Sequence, residues 1–233
     1  MRVRAYEDFV AAAIGGVVTA ASAELARFCA ESALGWRDQH CVELGAGCGL
    51  VTSTLAKLGA TAVATDLEPF LGHLQANLVL NGGAGRCCAL DWADDASCRQ
   101  LLQELGHVDA AFAANCVYDA EVIPALLETL ATLRAPAFCC GVPLPGVHTG
   151  ARGESLLDAW LRLMAERLTC YLLAGPAGVP AMGKLAVGAP QDGASALAER
   201  HGLTVGMLAD GVWLLLPPGS SAPEWVQPVL RLG

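Results

Sequence analysis

Residues 40–50 read His40-Cys41-Val42-Glu43-Leu44-Gly45-Ala46-Gly47-Cys48-Gly49-Leu50. The short run through Leu44 is a strand pattern, and the residues from about 48 to 58 take helical spacing. Between them lie three glycines at alternate positions. Glycines let the chain turn tightly and let a ligand approach the backbone. The helix that follows adds free N–H groups and a positive dipole end. Asp66 closes the next strand-like run, one strand-and-helix unit on from Gly45. A carboxylate there accepts hydrogen bonds from both hydroxyls of a ribose. The pair points to a ligand that contains adenosine. In the dinucleotide fingerprint G-x-G-x-x-G the third glycine would fall at Leu50; here it comes one residue early, at Gly49. No G-K-[ST] follows, which excludes a Walker-type phosphate loop. The plain alternative is a tight strand-to-helix turn that binds nothing.

Outward from this loop, strands are expected at 40–44, 61–66, 86–91, 108–114 and 136–142. Helices are expected at about 48–58, 69–80, 97–105 and 121–134. Pro69 suits a first helical turn. Ser97 and Gln100 have capping-box spacing, and Gly106 follows as a stop. This alternation predicts an α/β fold, a parallel sheet with helices on both faces. Before it, 20–34 reads as a packing helix. After it, Glu154 to Tyr171 reads as one helix with Leu157, Trp160, Leu161, Met164 and Leu168 on a stripe, and 195–201 as another. Residues 203–208 and 212–217 read as a hairpin around the Ala209-Asp210-Gly211 turn. The Gly/Pro-rich 172–194 reads as a long loop, either a cover or poorly ordered.

The chain has 233 residues, 54% hydrophobic and 16% charged, with a net charge of −9. That length predicts one domain over 1–233. Its parts are an N-terminal helical segment (1–38), a core (39–150), C-terminal helices and hairpin (151–217) and a tail (218–233). The apolar content excludes wholesale disorder, and the acidic balance argues against a nucleic-acid partner. The apolar run Phe9 to Ala23 is too short and too rich in Ala and Gly to span a membrane, and Glu7 and Asp8 oppose a secretory signal. The ten cysteines include no C-x-x-C pair. Cys87-Cys88 and Cys139-Cys140 lie in strand-like runs, where neighbours point to opposite faces, so they read as buried small hydrophobes in a reducing compartment. No metal site is expected. The five histidines are scattered, without a nucleophile and acid beside them.

The run Val42 to Val51 resembles the protein-lysine methyltransferases of the seven-strand, S-adenosylmethionine-dependent class that carry a D-x-x-Y motif. This group includes the methyltransferase-like 21 proteins and elongation factor 2 lysine methyltransferase. Three further segments are similar to it: Leu74-Gln75-Ala76-Asn77 with Asn81, Leu90-Asp91-Trp92, and Asn115-Cys116-Val117-Tyr118-Asp119 followed by Ile123-Pro124-Ala125-Leu126-Leu127. The last is most similar to the branch that methylates elongation factor 2. The resemblance covers about residues 17 to 142. It implies a Rossmann-like, doubly wound, mostly parallel seven-stranded sheet with a C-terminal antiparallel hairpin.

It further implies S-adenosyl-L-methionine as cofactor. Gly45, Ala46 and Gly47 would line its methionine and ribose part, and Asp66 would hold the ribose hydroxyls. Trp92, with Asp91 beside it, would sit against the adenine, and Ala114 would face the sulfonium. The catalytic candidates are Asn115, Tyr118 and Asp119. Two departures stand out. Asn115 replaces the usual Asp, leaving a neutral acceptor of N–H bonds where the group has a charge. Val17-Val18-Thr19-Ala20-Ala21 lacks the Trp-Asp or similar pair the group has on one wall of the cofactor site. The expected partner is a protein substrate, a translation factor by the nearest branch, with no nucleic acid and no membrane. The expected state is a monomer in the cytoplasm. Cys116 reads as packing, because transfer from this cofactor needs no covalent step. A small-molecule methyltransferase and a catalytically silent cofactor-binding module remain open at this point.

Overall fold

In the computed structural model, the described residues are 16–32, 34–142, 154–174, 193–200, 208–209, 211–218 and 220. Strands β1 (His40–Leu44), β2 (Thr61–Asp66), β3 (Arg86–Ala89), β4 (Ala110–Ala114) and β5 (Ala137–Cys140) alternate with helices α1 (Ala20–Glu31), α2 (Leu50–Lys57), α3 (Leu71–Leu80), α4 (Asp95–Leu105) and α5 (Val122–Leu133). Then follow α6 (Leu156–Arg167), β6 (Thr169–Ala174), α7 (Ala194–Arg200) and β7 (Val212–Leu216). The seven strands lie in the order β3-β2-β1-β4-β5-β7-β6. Pairings from β3 through β5 are parallel, and β7 runs antiparallel to both β5 and β6. This is the expected doubly wound, mostly parallel seven-stranded sheet.

Apart from the edge strand β3, the strands are largely buried on both faces, and their side chains divide between two large cores, with a small third cluster of Ala46, Ala64, Leu74 and Leu78 beside α3. Val42, Ala111, Ala137, Cys139, Trp213 and Leu215 face the core shared with α4, α5 and α6. Cys41, Phe112, Phe138, Cys140 and Leu214 face the core shared with α1 and α2. Adjacent Cys139 and Cys140 thus point to opposite faces, and none of the ten cysteines is in a disulfide. On the second face Phe112 stacks on Phe138 at 5.3 Å, and Trp36 meets Phe112 edge-on at 5.4 Å. Burying side chains of this size contributes about 1.5–3 kcal/mol each. Trp36 Nε1 donates to Cys29 O at 2.8 Å, which ties the end of α1 to this cluster. Among the described residues no helix is long and apolar enough to cross a membrane.

Three expectations are corrected. The helix read over Glu154 to Tyr171 stops at Arg167, and Thr169–Ala174 pairs with β7 as a strand instead. The tertiary ladder overrides a helical stripe that Leu168 prolongs in the sequence. The C-terminal antiparallel pair is therefore β6 with β7, joined through α7. Of the strand expected at 203–208 only Leu208 is described, and it is helical. Asp210 and most of 172–194 lie outside the described residues. The start of α4 is capped by Asp94, which accepts from Ala96 N at 3.0 Å, so Ser97 sits inside the helix and donates to Asp94.

Candidate functional site

The order β3-β2-β1-β4 reverses direction between β1 and β4, and in such sheets ligands bind outside the carboxyl ends at that switch point. A cavity of about 490 Å³ opens there. It is lined by the segments leaving β1, β2, β3 and β4 and by the start of α1.

The glycine loop forms its floor. Gly45, Gly47 and Gly49 have φ of +59°, +51° and +71°. An L side chain rarely adopts such angles. A Cβ at Gly45 would stand 3.0 Å from Cys116 Sγ and 3.1 Å from Trp92 Cζ2. A glycine is needed there for the loop to pass between the thiol and the indole. Gly49 caps α2 but has no side chain to offer. The cap comes instead from Glu43 in β1, whose Oε2 accepts from Thr52 N at 2.7 Å and from Thr52 Oγ1 at 2.5 Å. Burial pushes the Glu43 carboxyl up to about 7, against the Thr52 bonds that pull it down.

Asp66 braces the loop from the neighbouring strand. Its Oδ2 accepts from Gly47 N and its Oδ1 from Leu67 N, each at 2.8 Å. Burial raises its pKa above the ordinary value, and the two backbone donors oppose that rise. Leu90 N donates to Asp66 O at 2.9 Å, which sets the path of Asp91 and Trp92 along the cavity. Asp91 Oδ1 accepts from Ala93 N, closing that turn.

The fourth wall begins at Ala114. Asn115 has φ +57°, and its N–H donates to Cys140 O at 2.8 Å. Asn tolerates that left-handed conformation far better than most residues. Cys116 Sγ donates to Leu44 O at 3.2 Å. Burial raises its pKa strongly, so the thiol is inert packing. Tyr118 stands 43% exposed at the mouth. Its pKa is raised by burial, then by the negative groups around it, Asp66, Asp119 and Asp91 among them.

The cavity gathers Gly45, Ala46, Gly47, Asp66, Asp91, Trp92, Ala114, Asn115 and Tyr118, nine of the ten candidates named from sequence. Asp119 is not in the lining; its Oδ1 accepts from Glu121 N at 3.0 Å and shapes the turn before α5. Glu121 itself lines the cavity and escapes the sequence reading, as do Phe70 and Ser22. Thr19, which the sequence marks only as a departure, also lines the cavity. It caps α1 in a reciprocal box with Ser22, and the T-x-x-S spacing is the signal for it. A Cβ at Gly141 (φ +80°) would run into Ala21 Cβ, so α1 lies close over the chain just after β5.

Comparisons with known proteins agree with this geometry. Residues 2–142, more than half of the chain, match a family model described as lysine methyltransferase. The chain is 35% identical over 134 residues to Protein N-lysine methyltransferase METTL21A of Danio rerio, covering 55% of this chain and 60% of that protein. It is 36% identical to EEF1A lysine methyltransferase 3 of Mus musculus, covering 43% of each. It is 34% identical to Protein-lysine methyltransferase METTL21E of Mus musculus, covering 40% of this chain and 39% of that protein. The matches thus span less than two thirds of the length of these relatives.

Proposed function

Because the chain belongs to the lysine methyltransferase family, we propose that it transfers a methyl group from S-adenosylmethionine to a lysine side chain of another protein. The observation that carries this reading is one cavity joining the glycine loop, Asp66 and Asp91–Trp92 to Asn115 and Tyr118. The fit to the cofactor rests on the bare backbone of the Gly45–Gly47 loop in the cavity lining and on the Asp66 carboxylate beside it.

When bound, S-adenosylmethionine supplies a methyl carbon already activated by a positive sulfur. Gly45, Ala46 and Gly47 present bare backbone to its methionine and ribose part. Asp66 would accept from the ribose hydroxyls, Trp92 and Asp91 would flank the adenine, and Ala114 would leave room at the reacting end. The chain's remaining work is alignment and exclusion of water, and positioning alone supplies up to ~7–11 kcal/mol in well-oriented cases. A lysine with an ordinary pKa of about 10.4 sheds a proton before it attacks. The Asn115 side-chain oxygen accepts an amine N–H, and Tyr118 shapes the channel mouth. Asp119 acts through the Glu121 backbone it holds.

The finer reading, a translation factor as the methylated protein, is supported by relatives named for methylation of EEF1A. The test is transfer of labelled methyl to fractionated cell extract, with mass spectrometry of the labelled band. Wild type should label a protein band and Asp66→Ala should not. Equal labelling by the two would overturn the proposal. The neutral Asn115 favours a second reading, a module that binds cofactor without turnover. Calorimetric binding of the cofactor with no labelling of any fraction would support it.

A further inference from the structure

Asn115 carries no charge, yet a lysine arrives at an active site as an ammonium. Four carboxylates lie at or near the cavity between β2 and α5. Asp66 accepts from Gly47 N and Leu67 N and is assigned above to the ribose hydroxyls. Asp91 closes its own turn onto Ala93 N. Asp119 holds Glu121 N and lies outside the lining. Glu121 remains. It lines the cavity in company with Asn115, Tyr118, Val122 and Ala125. Although it holds the N-cap position of α5, its side chain makes no cap hydrogen bond. Among the described residues no hydrogen bond or ion pair reaches its carboxylate.

We propose that Glu121 is the carboxylate that receives the acceptor ammonium, supplying the charge that Asn115 lacks. The inference rests on the lysine reading above. The turn is built for this. Asp119 fixes the Glu121 backbone through its N–H, which leaves the Glu121 side chain free to reach the acceptor side of the cavity. A carboxylate stabilises the charged amine, so the role of Glu121 is capture and orientation of the ammonium; the proton then passes to solvent water at the open mouth of the cavity, which frees the nitrogen lone pair for attack. A hydrogen bond to a charged group is stronger than a neutral one, so the preference for a cation over a neutral group of equal size should be about tenfold.

The experiment is calorimetry with three probes. One is S-adenosylhomocysteine. The other two are analogues in which nitrogen replaces the sulfur and carries either a 2-aminoethyl arm or a propyl arm of equal length. Wild type should bind the aminoethyl analogue about tenfold more tightly than the propyl analogue. Glu121→Gln should lose that preference while its affinity for S-adenosylhomocysteine stays the same. Adding Asn115→Asp to Glu121→Gln should restore the preference by returning a charge to the neighbouring wall. A preference that persists in Glu121→Gln overturns the proposal. So does a wild type that binds S-adenosylhomocysteine with no ammonium preference. Failure of wild type to bind S-adenosylhomocysteine at all sinks the cofactor reading and this inference with it.

Discussion

Asp66 Oδ2, at the end of β2, accepts the backbone N–H of Gly47, in the loop after β1, at 2.8 Å. One carboxylate therefore both shapes the glycine loop and stands in the cavity. Asp66→Ala removes the loop brace and, with it, the proposed ribose acceptor. Calorimetry with S-adenosylhomocysteine should show affinity reduced about thirtyfold or more, from two lost charge-assisted bonds. Asp66→Asn keeps an oxygen for Gly47 and should fall between that variant and wild type.

Glu43 makes stability depend on pH. Its carboxyl is raised from 4.5 to about 7 in the fold, because burial penalises the charged form. A raised pKa means the folded state holds a proton that the unfolded state releases. The stabilisation is fully present below pH 4.5 and is lost as pH rises through 7. Urea unfolding of wild type and Glu43→Gln across this range should show wild type losing ground to the variant by up to about 3 kcal/mol. The difference should be flat above that range.

The Gly141–Ala21 contact predicts a coupled pair. A Cβ at Gly141 would run into Ala21 Cβ, and φ there is +80°. Gly141→Ala should cost about 2 kcal/mol or more. Ala21→Gly alone should cost about 1 kcal/mol, as glycine does in a helix. In the double variant the clash is gone and the backbone strain remains. A double-mutant cycle from thermal or urea unfolding should therefore show a favourable coupling of about 1 kcal/mol.

Trp92 forms one wall of the cavity and presses on the glycine loop at Gly45. Trp92→Ala should weaken S-adenosylhomocysteine binding about tenfold, in line with the worth of stacking a base on an aromatic face. Trp92→Phe should retain most of the affinity. Equal binding by Trp92→Ala and wild type would remove the indole from the adenine site.

The thiols should react in order of exposure. Cys87 and Cys88 are partly exposed and the other eight cysteines are buried, Cys116 and Cys139 among them. Iodoacetamide pulses read by peptide mass spectrometry should modify Cys87 and Cys88 first. Cys116 should react only on unfolding, because burial raises its pKa and its Sγ is engaged with Leu44 O.

The parallel half of the sheet was readable because a strand buried on both faces announces itself as an apolar run bounded by turn residues. The expectations at 40–44 and 61–66 match β1 and β2 residue for residue. The antiparallel half was harder. Thr169–Ala174 follows a helix whose stripe runs on through Leu168, and only its partner β7 distinguishes strand from helix there. At the site, motifs brought the right segments together. They could not show that Asp119 would turn away while Glu121, two positions on, faced the cavity. The backbone dihedrals of the turn decide which carboxylate faces inward, and spacing alone does not encode them. The φ of +57° at Asn115 gives that asparagine a backbone reason to be there, apart from any role toward substrate.

The place of β7 bears on how the protein is made. The strands β1 to β5 come off the ribosome in sequence, but β5 leaves an open edge at Ala137–Cys140. The strand that covers it, Val212–Leu216, is synthesised after β6, yet must settle between β5 and β6. The nascent chain therefore carries an open strand edge, a row of unpaired backbone N–H and C=O groups, until β7 emerges. Such an edge invites pairing with other chains. The backbone of Ala137–Cys139, which β7 pairs in the finished fold, is the stretch exposed to such pairing during that interval.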